Sequence, residues 1–102
     1  MLNLQLHIQP QTEKKLRKIL THTQDEEMFA QNIIAYQIKE LQRGILNLRL
    51  DLKEFEEKFQ ISSEEFYRQF SQGISGDNED FIVWSGIYEM LMENESRLRE
   101  LK

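Results

Sequence analysis

Ile34, Leu41, Leu48 and Phe55 stand seven residues apart, and so do Ile38, Ile45, Leu52 and Phe59. Set as a and d positions, they form a 3,4-spaced apolar stripe without a polar interruption. Ile33, Leu46 and Leu50 widen it. Gly44 lies inside the stripe and costs about 0.5–1 kcal/mol against alanine. The stripe nevertheless keeps phase across it. The spacing predicts one long helix from about residue 24 to residue 59, continuous or weakly broken at Gly44. Such a helix is about 50 Å long at 1.5 Å per residue. A compact chain of this size has a radius of gyration of only about 13 Å. Its own remaining residues cannot cover the helix along its whole length. Either it breaks near Gly44 and folds back, or a second chain covers it.

The 102 residues are 39% apolar and 30% charged, which is thin core material for a single domain. The size excludes a large enzyme. The longest apolar run is Phe81-Ile82-Val83-Trp84, too short to span a bilayer, and the first thirty residues lack the pattern of a signal peptide. The chain has no cysteine, so no disulfide framework is available and the expected setting is the cytoplasm. The net charge of −5 is unevenly spread. Residues 1–50 carry seven basic and five acidic side chains, and residues 51–102 carry six and thirteen. Such an asymmetry suggests two partners, or simply two solvated faces.

Residues 2–8 alternate strictly, with Leu2, Leu4, Leu6 and Ile8 on one face and Asn3, Gln5 and His7 on the other. That pattern predicts a half-buried strand, ended by Pro10. A short helix to about His22 follows, with Leu16, Ile19 and Leu20 inward and Lys14, Lys15, Arg17 and Lys18 around it. Thr23 and Glu26 have capping-box spacing at the start of the long helix. Ser62 and Glu65 repeat that spacing before a helix carrying Phe66, Tyr67 and Phe70, which Gly73 terminates. Residues 73–80 read as a loop. A last helix runs from about Asp80 to Leu101, with Phe81, Trp84, Ile87, Tyr88 and Leu91 on its apolar face.

A lone strand leaves its backbone donors and acceptors unpaired. Pairing with the same strand of a second chain on a two-fold axis is the simplest remedy. The order of strand 2–8, Pro10, Leu16-x-x-Ile19-Leu20 and Phe29-Ala30-x-x-Ile33-Ile34-x-Tyr36 resembles the ribbon-helix-helix family over about 45 residues. That family forms intertwined dimers whose two-stranded ribbon enters the DNA major groove. Many members are antitoxins of type II toxin–antitoxin pairs, with a C-terminal arm that wraps a toxin. The resemblance implies a mainly α fold with an N-terminal β-strand: a ribbon-helix-helix-like intertwined dimer with a helical C-terminal extension. It implies a dimerisation and DNA-binding region at 1–48 and an acidic, aromatic, partner-binding region at 49–102. The chain would then be an antitoxin-like transcriptional regulator, its partners a second copy, operator DNA and a toxin protein.

Asn3 and Gln5 offer the paired donor and acceptor that match adenine, and His7 can donate to guanine. Lys14, Lys15, Arg17 and Lys18 are candidates for phosphate contacts, and Thr23 with the helix it opens for one phosphate more. Phe55, Phe59, Phe66, Tyr67, Phe70, Phe81, Trp84 and Tyr88 are candidate anchors for a partner protein. The alternatives are a solvent face, a solvated charge run and a self-packed aromatic core. The alternating face has neither Arg nor Lys, which favours a second reading: a non-DNA-binding structural or interaction protein dimerising through a long helical seam. His7 and His22 have no carboxylate at ligand spacing, and the Asp77, Glu79 and Asp80 cluster lacks a calcium loop's spacing. No phosphate cradle or nucleophile elbow occurs. No enzymatic activity, cofactor, metal, membrane or small-molecule substrate is expected.

Overall fold

The computed structural model describes residues 1–76 and 78–102. Asp77, part of the acidic loop, lies outside the described residues. Four helices follow one another: α1 (Pro10–Thr21), α2 (Glu26–Phe59), α3 (Ser63–Ser71) and α4 (Glu79–Leu101).

Local chemistry explains most of the boundaries. Pro10 occupies the first position of α1, where a missing N–H costs nothing. Ser62 caps α3 by accepting the Glu65 N–H at 3.1 Å. After α3 the Gly73 N–H donates to Phe70 O and the Ile74 N–H to Gln69 O, with Gly73 at φ 74°. This paired pattern is the Schellman motif, and its left-handed residue favours glycine. The Asn78 side chain caps α4 through the Asp80 N–H at 2.9 Å.

Two expectations are overturned. Residues 1–9 have no regular secondary structure, and no strand occurs among the described residues. The ribbon-helix-helix arrangement, which needs a strand at 2–8, is therefore not the fold of this chain. A helix satisfies its own backbone, whereas a strand's hydrogen bonds lie with a neighbour that this all-helical chain does not offer. The start of α2 is capped by Asp25, whose Oδ1 accepts the Met28 N–H at 3.0 Å. Thr23 Oγ1 instead donates back to Ile19 O at 2.9 Å, so its hydroxyl serves the end of α1.

The chain divides into two compact units, Met1–Ile33 and Ile34–Lys102. In the first, Leu4, Leu6 and Ile8 line a shallow groove of about 200 Å³ with Leu16, Arg17 and Leu20 of α1. No residue of this unit is buried.

The second unit holds the core. Arg49 pairs with Glu95, Phe55 stacks on Trp84 at 5.5 Å, and Lys58 meets Asp80 at 2.7 Å. Rising numbers on α2 meet falling numbers on α4, so the two run antiparallel. Leu52, Phe66, Trp84 and Leu91 are buried, and Ile45, Leu48, Phe55 and Phe59 pack against them. From Ile45 to Phe59 the stripe is thus covered by α3 and α4 of its own chain. The helix does not break at Gly44. Leu46 and Leu50 lie off the seam and stay 58% and 55% exposed.

Candidate functional site

The aromatic side chains of 55–88 converge on Trp84. Phe66 stacks face to face on its indole, with centroids 3.8 Å apart and planes 1° from parallel. Phe59 stacks on it at 5.6 Å and meets the edge of Phe81 at 5.1 Å. Phe70 leans on Phe66 at 5.5 Å. The indole N–H donates to Ser63 Oγ at 2.9 Å, and the Ser63 N–H donates to a Glu56 carboxylate oxygen at 2.9 Å. The edge contact of Phe59 with Phe81 and the wider stack of Phe59 on Trp84 have the favoured separations of packed aromatic rings, while Phe66 and Trp84 lie closer to a face-to-face sandwich. Tyr67 and Tyr88 lie at the border of this core with ring centroids 4.9 Å apart. The Tyr67 hydroxyl donates to Glu89 at 2.7 Å, and that carboxylate raises its pKa. Burial, with Glu64 and Glu95 nearby, raises that of Tyr88.

All eight aromatic candidates therefore lie in or against one core, with Phe66 and Trp84 only 3% and 0% exposed. Their rings pack on one another, and Phe59, Phe66, Phe81 and Trp84 also line an open cleft. The cleft, of about 420 Å³, reaches this cluster between Phe59, Ile61, Phe81 and the polar side chains of Gln60, Gln69 and Ser75. The apolar side chains left to solvent on α4 are others, among them Ile82, Val83 and Met90. Sequence gave a usable signal for these: they fall outside the 3,4 spacing that Phe81, Trp84, Tyr88 and Leu91 share.

The N-terminal candidates are all accessible. Asn3, Gln5, His7, Lys14, Lys15, Arg17 and Lys18 are exposed, and Thr23 is half-buried. Leu4, Leu6 and Ile8 line one groove with α1, and the intervening Asn3, Gln5 and His7 are not part of its lining. Arg17 lies 3.7 Å from Glu13, while Lys14, Lys15 and Lys18 have no acidic partner among the described residues. The start of α2 is a poor phosphate site. Asp25 already occupies it, and Glu26 and Glu27 add two carboxylates to its first turn.

The first unit also displays apolar side chains. Eleven large apolar side chains occur in Met1–Ile33, and nine of them are exposed, with only Leu16 and Phe29 half-buried. Leu2 is 80% exposed, Leu4 69%, Leu6 57% and Ile19 55%. No group of three potential metal ligands occurs among the described residues, and no helix there is long and apolar enough to cross a membrane. No family model, curated protein or solved structure matches this chain.

Proposed function

We propose that this protein is an interaction module: a helical body at 34–102 carries an N-terminal segment that docks on a partner polypeptide. One observation carries the reading. The unit Met1–Ile33 buries none of its residues, although a third of them are large and apolar. Folded units below about 40 residues need disulfides, metals or association to hold together. The chain has no cysteine, and no metal-ligand cluster occurs among the described residues. Association is the remedy left. A photo-crosslinking residue at Leu6 or Ile19 tests this in cells. Adducts with a polypeptide should form at both positions and disappear when Leu4 is changed to Glu. Absence of any polypeptide adduct would overturn the reading.

A second reading has the unpaired cations of α1 in its favour. On it the chain is an antitoxin-like regulator that binds operator DNA as a dimer and neutralises a toxin through its C-terminal half. Lys14, Lys15 and Lys18 would then contact phosphates, with Asn3, Gln5 and His7 at the bases. A gel shift with DNA from upstream of its gene distinguishes the two. Binding that falls steeply with salt and with Lys14→Gln/Lys18→Gln supports the regulator; no shift removes it. The cytoplasmic setting suggested by the cysteine-free composition belongs to either reading.

A further inference from the structure

We infer that the polypeptide covering the N-terminal unit is a second copy of this chain, seated through the exposed apolar side chains of Met1–Ile33. The inference rests on the interaction reading and names its partner.

Charge is the first argument. Within Met1–Ile33 the four cations Lys14, Lys15, Arg17 and Lys18 are balanced by Glu13, Asp25, Glu26 and Glu27. The unit is neutral, and residues 34–102 carry the whole net charge of −5. A contact between two larger units brings like net charges together, whereas a contact between two smaller ones does not. The charges are also segregated along the sequence, with a basic run on α1 and an acidic run opening α2. A two-fold contact places patch i on patch j and patch j on patch i, so one surface bearing both signs complements itself.

Apolar exposure is the second argument. Nine of the eleven large apolar side chains of Met1–Ile33 are exposed, and homodimer interfaces are more apolar than the rest of a protein's surface. The contact needs only side chains, and no strand pairing.

The test uses the full chain in sedimentation equilibrium, together with two charge-reversed variants. Lys14→Glu/Lys15→Glu makes the N-terminal unit acidic, and Glu26→Lys/Glu27→Lys makes it basic. The unaltered protein should sediment at twice 12.3 kDa. Each variant alone should dimerise at least tenfold more weakly, and an equimolar mixture should recover the dimer. Far-UV circular dichroism of the variants and recovery on mixing together exclude simple misfolding. A monomeric unaltered chain overturns the inference; adducts at Leu6 with some other polypeptide would then leave the interaction reading standing. Variants that stay dimeric alone place the contact elsewhere and also overturn it. So does a mixture that stays monomeric.

Discussion

Ser63 and Ser85 are the buried polar residues of the core, and Ser63 makes the more consequential bond. Its hydroxyl is the acceptor for the Trp84 indole N–H, in a place where water is shut out. Ser63→Ala removes the acceptor and leaves the donor buried. The expected cost is about 1–3 kcal/mol, read as a lower urea midpoint with an unchanged slope. An unmoved midpoint would show that the indole finds another acceptor. Glu65 offers a test by pH. Hydrogen bonds from Arg68, then from Gln69, lower its carboxyl from 4.5 to about 2. The folded value lies below the unfolded one. Its stabilising effect is therefore complete above about pH 4.5 and is lost as the pH falls through about 2. A carboxyl-carbon NMR titration should find the low midpoint, and Arg68→Gln should raise it towards the ordinary value.

At the scale of elements, the helices were legible, and the N-terminal segment that reads as a strand is not one. The Ile34–Phe59 stripe and the caps at Pro10, Ser62 and Gly73 are local features, and a helix completes its hydrogen bonds locally. Residues 2–8 show how alternation alone misleads: it describes a surface that fits a ladder, while the ladder itself must come from elsewhere. Thr23 misled differently. It and Asp25 both suit a cap, and the choice depends on where α1 releases the chain, which spacing does not record. The aromatic cluster was legible as residues but open between two uses, because the same helical spacing serves a core and a docking face. α2 supplies its own prediction. A Cβ on Gly44 would stand 3.4 Å from Asn94 Nδ2, the end of a side chain that can shift. Gly44→Ala should therefore stabilise the protein by about 0.5–1 kcal/mol, seen as a higher melting temperature. A lower one would mean that Asn94 is held in place.

The whole molecule pairs a unit with a four-residue buried apolar cluster and a unit with no buried residue at all. Stability follows burial, so the two should not melt as one when association is prevented. The single tryptophan, Trp84, is fully buried within the second unit, stacked on Phe66 and bonded to Ser63. It is consequently a built-in optical reporter for that unit alone. Far-UV ellipticity, by contrast, sums all four helices. Followed together through a thermal scan at low concentration, ellipticity should begin to fall before indole emission shifts to the red. Coincident curves would show instead that α1 shares the cooperativity of the core. The same fluorophore makes the C-terminal bundle measurable in any complex whose partner lacks tryptophan, with no label attached.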